Sequence, residues 1–269
     1  MNIDRAKLKG LLEMDGVPPG VRDAMVEGGL DAWIPRLRRL PAWDLGSAIA
    51  ILRDAATDKP TAKAMKGTTI DAPFVHHGDL TIDGNLDVVA PFFVTGKLAV
   101  SGLLRDAGPD SCVAIGGDLA VGSLFTDGSF HCANIFADGI VYGHYNDQTL
   151  ECMTIKARIV IEDEHDVQHA GVKAKLHLDI DEFSQGYGDG VTAKLKRHIK
   201  PEYFKRDDDE DAELLDEVAL FEAIANGKDV WVAAGKEKAG KAKLAKPAKA
   251  KPAKAKPKKP AKAKAAKRG

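Results

Sequence analysis

The stretch Gly78 to Ala107 decides the fold, and it reads GDLTID GNLDVV APFFVT GKLAVS GLLRDA when written in groups of six. A small residue begins every group: Gly78, Gly84, Ala90, Gly96 and Gly102. The third place of every group is apolar: Leu80, Leu86, Phe92, Leu98 and Leu104. A small residue at every sixth place beside alternating apolar residues is typical of short strands separated by tight bends. The stretch therefore predicts a β-solenoid.

A longer repeat extends beyond the groups of six. The segments GDLTIDGNL, GKLAVSGLL, GDLAVGSLF, ANIFADGIV and MTIKARIVI begin at Gly78, Gly96, Gly117, Ala133 and Met153, so their starts are unequally spaced. A constant nine-residue core with unequal spacing indicates coils whose corners carry loops of different length. Stacked coils of this kind can bury a continuous core. The predicted fold is mainly β, a single-stranded β-helix of about five or more coils.

The regions around the repeat predict helical caps. We divide the chain into a helical N-terminal region (1–60), a linker and leading strand (61–77), the β-helix (78–192), a C-terminal helical cap (193–235) and a disordered basic tail (236–269). Asp4 and Asp44 can each cap an N-terminal helix. Apolar residues from Leu214 to Ile224 at helical spacing predict a terminal helix that closes at Asn226 and covers a strand edge of the solenoid.

Charge is distributed very unevenly along the chain. Residues 236–269 hold 14 Lys and 1 Arg against the single acid Glu237, a charge of +14. Since the overall charge is −1, residues 1–235 carry a charge of −15. The tail has almost no large apolar side chain, and its prolines interrupt helices, which predicts disorder. No signal peptide or membrane span is recognisable, and an odd number of cysteines argues against a disulfide framework. These features predict a cytoplasmic protein.

The G-x-L-x-V pattern of Gly78 to Ala107 resembles the β-helix of bactofilins, the bacterial polymer-forming cytoskeletal proteins. The chain also resembles a group of uncharacterised bacterial β-helix proteins with a YGHYND-type corner and a final acidic helix. The resemblance covers roughly Gly78 to Gly227. It implies assembly into filaments or scaffolds without catalysis or nucleotide. The N-terminal helices and the irregular coil lengths depart from the bactofilin pattern.

One corner with several chemically versatile side chains is YGHYND, which begins at Tyr142. Stacking the repeats in register places it beside EDEHD, with His144 near Glu164 and Tyr145 near His165. A carboxylate beside histidines can bind a divalent metal or form a general acid and base pair. We take His144, Glu164 and His165 as the candidate metal cluster. The alternative is that these polar residues only form the turn between strands.

Other residues admit both a functional and a structural interpretation. His76 and His77 could be a ligand pair, or histidines of the strand that leads into the first coil. Cys132 and Cys152 lie in one column and favour a buried apolar ladder over a metal site. Two acids, Asp106 and Asp127, could serve glycoside hydrolysis, although one Asp per bend is commoner for structural reasons. No catalytic residue and no cofactor is predicted.

The tail resembles the lysine-, alanine- and proline-rich tails of linker histones. Flexible lysines neutralise phosphates and release counterions, which gives sequence-independent binding to DNA or RNA. The candidate nucleic-acid-binding residues are Lys246, Lys249, Lys251, Lys254, Lys256, Lys258, Lys259, Lys262, Lys264, Lys267 and Arg268. The alternative is a solubilising tail, or a tether between subunits for the acidic body.

The sequence favours a non-enzymatic scaffold or interaction module that binds itself or another protein, with the tail contacting nucleic acid or another anionic partner. One alternative is a metal-binding or carbohydrate-acting β-helix enzyme at the corner that contains His144 and His165. Another is an immunity-type or regulatory protein whose acidic body binds a basic partner.

Overall fold

The computed structural model describes residues 1–107, 110–144, 148–180, 190–207 and 212–233. By its contacts the chain divides into two units, Met1–Val232 and Ala233–Gly269. The predicted disordered tail at 236–269, with all of its candidate nucleic-acid-binding residues, lies outside the described residues.

The predicted solenoid is confirmed as a mainly β structure of about six turns. Every pairing between its strands is parallel, as expected when successive coils stack on one another. Its strands are β1 (Lys63–Ile70), β2 (Phe74–His76), β3 (Leu80–Val88), β4 (Pro91–Val94), β5 (Leu98–Asp106), β6 (Cys112–Ile115), β7 (Leu119–Thr126), β8 (Ser129–His131), β9 (Asn134–Ala137), β10 (Ile140–Gly143), β11 (Thr149–Glu151), β12 (Thr154–Lys156), β13 (Ile159–Asp163), β14 (Asp166–Gln168), β15 (Gly171–Lys173) and β16 (Leu176–Ile180). The first two of these strands, β1 and β2, lie in the region predicted as a linker and leading strand (61–77).

Each coil contributes to three faces. Face 1 consists of β9, β12 and β15 together with the first halves of β1, β3, β5 and β7. Face 2 consists of β10, β13 and β16 together with the second halves of the same four strands. Face 3 is the separate sheet of β2, β4, β6, β8, β11 and β14. Alternate residues of each strand point into the lumen and form the main apolar core.

The register on face 1 reproduces the repeat that the sequence predicts. Leu80 pairs with Leu98, and the column continues through Leu119, Ile135 and Ile155. These are the third places of the five predicted segments, so the coils have the same unequal lengths as the repeat. In the next coil, β15 extends the column by one more member.

The small residue at the start of a group is required where stacked corners meet. A Cβ atom on Gly96 would lie 2.5 Å from the carbonyl oxygen of Gly78 in the coil below. A Cβ atom on Gly102 would lie 2.9 Å from the carbonyl oxygen of Gly84. Backbone atoms cannot yield at such distances, so a side chain at these corners would force the coils apart.

Four N-terminal helices cover face 3. They are α1 (Arg5–Leu12), α2 (Pro19–Met25), α3 (Leu30–Leu37) and α4 (Ala42–Ala55). Asp4 caps α1 as predicted, and its carboxylate accepts the backbone N–H groups of Ala6 and Lys7. The capping role predicted for Asp44 is wrong: α4 begins at Ala42, after Pro41, and Asp44 lies in the first turn. The helices share an apolar cluster with the outward side chains of face 3, including Phe93.

The C-terminal region covers face 2 with α5 (Val191–Leu195), a short 3-10 helix (Pro201–Tyr203), the antiparallel pair β17 (Phe204–Asp207) and β18 (Ala212–Leu215), and α6 (Glu217–Ala225). Phe221 of α6 packs edge-on against Phe125 and Tyr142 of face 2. The helix predicted from Leu214 starts later, since Asp216 caps α6 through the backbone N–H of Ala219. The residues before this cap pair with β17 instead.

Among the described residues, no helix combines the length and the apolar character needed to cross a membrane.

Candidate functional site at the C-terminal end of the solenoid

One interior column on face 2 is aliphatic until its last member. Leu104 pairs with Leu124, and the column continues through Val141 and Val160, all of them buried in the core. In the last coil, β16 places His177 beside Val160. Since the register of parallel strands keeps equivalent side chains on one face, the imidazole of His177 continues an apolar column.

A second column makes the same change. Cys132 and Cys152 lie in successive coils, and both are buried in the core. Cys152 donates its backbone N–H to the carbonyl oxygen of Gln168 at 2.9 Å. The residue after Gln168 is His169, which therefore takes the position equivalent to Cys152 in the next coil. The apolar ladder predicted for the two cysteines thus ends in a histidine.

The third column supplies a carboxylate near the same end of the solenoid. Asp106 pairs with Thr126, Thr126 with Gly143, and Gly143 with Glu162. Asp106 and Thr126 are fully buried, and Glu162 is 8% exposed. The lumen therefore carries ionisable groups in three columns where it reaches its C-terminal end.

Glu162, His169 and His177 form what we call the end cluster. Oε1 of Glu162 lies 3.2 Å from Nε2 of His169 and 2.5 Å from Nε2 of His177. One potential ligand atom from each residue lies within 4.8 Å of the other two. Among the described residues, these three side chains form a group that could hold a metal ion. The two imidazoles meet almost edge to face, with ring centroids 5.9 Å apart. All three side chains thus converge on one point.

The end cluster borders an open groove of about 570 Å³. The residues that line this groove are Glu162, Glu164, His165, Asp166, Val167 and Asp179. Its walls are mostly acidic, so the groove provides a path by which a cation can approach Glu162.

The predicted corner residues lie next to the end cluster but are not part of it. His165 is 4% exposed, and its Nδ1 donates to the backbone carbonyl of His144 at 3.0 Å. The ring of His144 stacks at a tilt on Tyr142 and Phe125. Tyr145 and the rest of the YGHYND corner to residue 147 lie outside the described residues. A metal site at His144, Glu164 and His165 therefore stays a prediction.

The predicted alignment of the two corners is wrong by one residue. Gly143 pairs with Glu162 rather than with Asp163, so His144 follows Gly143 beside Asp163 and not beside Glu164. The physical reason is the bend between faces 1 and 2. Three residues separate Phe136 from Ile140 in one coil, whereas two separate the paired positions Lys156 and Ile159 in the next. A repeat of constant length cannot represent that difference.

Burial dominates the electrostatics of this corner. Burial lowers the pKa of His165 to about 4, against the opposing effects of its bond to the His144 carbonyl and of nearby carboxylates. Burial also raises the pKa of Asp163, although Tyr142 donates its hydroxyl to Asp163 at 2.6 Å. The neutral form of His165 is therefore favoured in the folded protein.

The three residues of the end cluster are not among those predicted from the sequence, although a signal for them is present. The segment AGVKAKLHLD starts at Ala170, in the coil after the one that begins with Met153, and carries an apolar residue at its third place. His177 occupies the eighth place, which is apolar in the four preceding repeats from Gly96 onward. His169 stands one place before the segment, as Cys152 stands before its own. The substitution of histidine for apolar residues concealed the last coil.

The remaining sequence candidates have structural partners. Nε2 of His76 lies 3.0 Å from the carbonyl oxygens of Thr61 and Asp79, at the opposite end of the solenoid. Nδ1 of His77 lies 2.8 Å from the hydroxyl of Thr95. The two histidines have separate partners, which fits residues of the first coil rather than a ligand pair.

Asp106 is unsuited to the role of an exposed glycosidase acid. It is fully buried, and its Oδ2 accepts the hydroxyl of Thr126 at 2.8 Å. Burial outweighs the hydrogen bonds from Ser111, Thr126 and Gly128 and raises its pKa to about 7. Its carboxyl group faces the packed lumen rather than a groove that could hold a sugar.

No protein-family model, curated protein or solved structure matches this chain. The fold and the end cluster are therefore the grounds on which its function can be argued.

Proposed function

We propose that this protein is a non-enzymatic scaffold or interaction module that uses face 1 of its solenoid as a protein-binding surface. The observation that carries the proposal is the unequal covering of the three faces. Helix α4 packs on face 3 and helix α6 on face 2, both through apolar clusters. The outward positions of face 1 stay mostly exposed along the solenoid: Ala64, Thr81, Ala99, Ala120, Phe136, Lys156 and Lys173.

Face 1 is held rigid along one border by a ladder of polar side chains. The backbone N–H of Lys97 binds Asp79 at 2.8 Å, and Nζ of Lys97 lies 3.3 Å from Asp118. Asn134 donates to Asp118 at 2.8 Å, and Thr154 donates to Asn134 at 2.7 Å. A preorganised surface loses little conformational entropy when a partner binds. This rigidity supports a binding role for face 1.

Filament growth from the first coil is disfavoured by the residues of its outer strand. β1 is the first strand in its sheet and is mostly exposed. Lys63 and Lys66 lie on it, and charged side chains on an outer strand oppose pairing with another chain. The proposal therefore favours a partner on face 1 over bactofilin-like end-to-end polymers. Sedimentation at rising protein concentration tests this point: a discrete species is expected, and filaments would contradict it.

Crosslinking tests the use of face 1. The outward side of face 1 is accessible to a partner, since Phe136 on this face is 44% exposed. We would place a photocrosslinking amino acid at Ala120 on face 1 and, as a matched control, at Asp87 on the partly covered face 2. Partners captured at Ala120 and not at Asp87 are expected. Equal capture at both positions, or none at Ala120, would contradict the proposal.

The basic tail is proposed to attach this module to a polyanion in the cytoplasm. The support is its charge of +14 against −15 for the rest of the chain. Lysines that neutralise phosphates make the affinity fall steeply with salt. Fluorescence anisotropy with a random duplex should show binding by the full chain that weakens strongly between low and physiological salt. A full-length variant with Gln at all candidate tail positions should lose it; equal binding by both chains would exclude the tail.

A further inference from the structure

We infer that the end cluster of Glu162, His169 and His177 binds a divalent transition metal ion, with Zn²⁺ as the ion that best suits its donors. Two imidazole nitrogens and one carboxylate oxygen form a common set of zinc ligands. These donors come from three separate segments: β13, the turn after β14, and β16. The inference does not depend on the role proposed for face 1 or for the tail.

The convergence of the three side chains is the first argument. At neighbouring levels of the same columns the lumen carries Val160, Cys152 and Gly143. His177, His169 and Glu162 follow these residues in the same columns. The three side chains come from two adjacent coils and direct their polar atoms to one point. A chain that only needed to end an apolar core could place unrelated polar groups there.

The distances are the second argument. Donor atoms around a tetrahedral zinc ion lie roughly 3.3 Å apart when each is about 2.0 Å from the metal. The separation of Glu162 Oε1 and His169 Nε2 is 3.2 Å, which fits that geometry. The side chain of His177 is 38% exposed, so it has room to move back from its 2.5 Å contact with Glu162. Small rotations of side chains are therefore sufficient.

Access is the third argument. The groove of about 570 Å³ reaches Glu162 from solvent, and its acidic wall attracts cations. Three protein ligands leave the fourth position of a tetrahedral ion for water or another small ligand. A metal can thus enter without unfolding of the last coil.

A bound ion would join the last coil to the one below it. Glu162 and His169 belong to the lower coil, and His177 to β16 in the last one. β16 also supplies Leu178 and Ile180 to the apolar cluster shared with the C-terminal region. The expected consequence is a metal-dependent gain in stability that is greatest at this end of the solenoid.

Isothermal titration of Zn²⁺ into the metal-stripped full chain tests the inference. We expect one site in the wild type and a loss of affinity above about 100-fold in Glu162→Gln and His177→Gln, since even indirect partners of ligands contribute about 10-fold to 100-fold. The glutamine side chain keeps a hydrogen-bonding group at each position. His144→Gln is the matched control, because His144 lies nearby and outside the end cluster; it should bind like the wild type.

Two further measurements keep the test decisive if a variant folds poorly. Circular dichroism in the presence of a chelator verifies that the variants are folded, and Co²⁺ bound to the wild type should show the visible bands of a tetrahedral site with nitrogen and oxygen ligands. Zn²⁺ should also raise the melting temperature of the wild type but not of His177→Gln. Absence of binding by the wild type would leave a hydrogen-bonded polar plug and overturn the inference. Loss of binding in His144→Gln, with His177→Gln unaffected, would move the site to the predicted corner and overturn it equally.

Discussion

Asp106 and Glu162 lie in the same interior column, one in the middle of the solenoid and one at its C-terminal end, and the fold accommodates them in opposite ways. Asp106 is fully buried with hydroxyl and backbone donors, and burial raises its pKa to about 7. Glu162 has two histidines within hydrogen-bonding distance of one oxygen. A buried carboxyl group is stabilised either in its protonated form or by hydrogen-bonding partners. Burial favours the protonated form of Asp106, whereas Glu162 has two imidazoles beside it.

The largest expected difference between the two regions concerns packing. Leu124→Ala in the middle of the lumen should lower the free energy of unfolding by about 2 to 5 kcal/mol, because the surrounding coils cannot close the cavity. His177→Ala, at the end of the same column, should cost about 1 kcal/mol without metal, since His177 is partly exposed and loses one hydrogen bond. Urea denaturation of both variants measures the difference. Equal losses would mean that the end of the solenoid is packed as tightly as its middle.

Asp106 should make the protein less stable as the pH rises. The pKa of an unfolded aspartate is about 3.9, and burial raises that of Asp106 to about 7. Between these values the native state holds a proton that the unfolded state has lost. The contribution of Asp106 to stability is therefore fully present below about pH 4 and falls by about 1.4 kcal/mol per pH unit until about pH 7.

Asp106→Asn should remove this pH dependence, because the amide resembles the protonated acid in shape. Urea denaturation at several pH values, for the wild type and the variant, checks the prediction. The decisive quantity is the difference between the two profiles, since other groups titrate in both proteins. Parallel profiles would show that Asp106 is ionised in the folded state.

His165 should act in the opposite direction at the corner near the end cluster. Burial lowers its pKa to about 4, whereas an unfolded histidine has a pKa of about 6.5. Below pH 6.5 the unfolded state takes up a proton that the native state refuses, so stability falls as the pH drops towards 4. His165→Gln should weaken this acid sensitivity. NMR titration of His165 gives the pKa directly, and a value near 6.5 would contradict the prediction.

The sequence was sufficient for the solenoid and insufficient for the end cluster, for one physical reason. Buried columns need apolar residues at fixed places, so Leu98, Leu119 and Ile135 reveal the coils without any structure. The last coil breaks that rule at His177, and the bend before Ile140 changes the register by one residue. Side chains that meet across coils depend on such single-residue differences. The register of the repeats on face 1 was therefore predicted correctly, whereas the neighbours of the corner side chains were not.

The predicted start of the C-terminal helix was wrong because of a similar local effect. The apolar spacing from Leu214 is compatible with a helix, and the pattern alone cannot show that the helix begins only after Leu215. The structure uses Leu214 and Leu215 in a strand, since β17 offers a partner and Asp216 caps the helix that follows. Tertiary pairing thus outweighed the helical periodicity.

The smallest expected effect is on the reactivity of the cysteine column, in which the buried thiols of Cys132 and Cys152 are followed by His169. Burial raises the pKa of Cys152 to about 12 and that of Cys132 well above its ordinary range. Thiolate is the reactive form, so both thiols should react with Ellman's reagent at neutral pH only when the protein unfolds. Cys132→Ala and Cys152→Ala separate the two contributions. His169 occupies the next position of that column and covers Cys152. Reaction of Cys152 in the native protein, with Cys132 still protected, would therefore show that the last coil opens independently of the coils below it. Zn²⁺ should then suppress the reaction if the ion joins these coils.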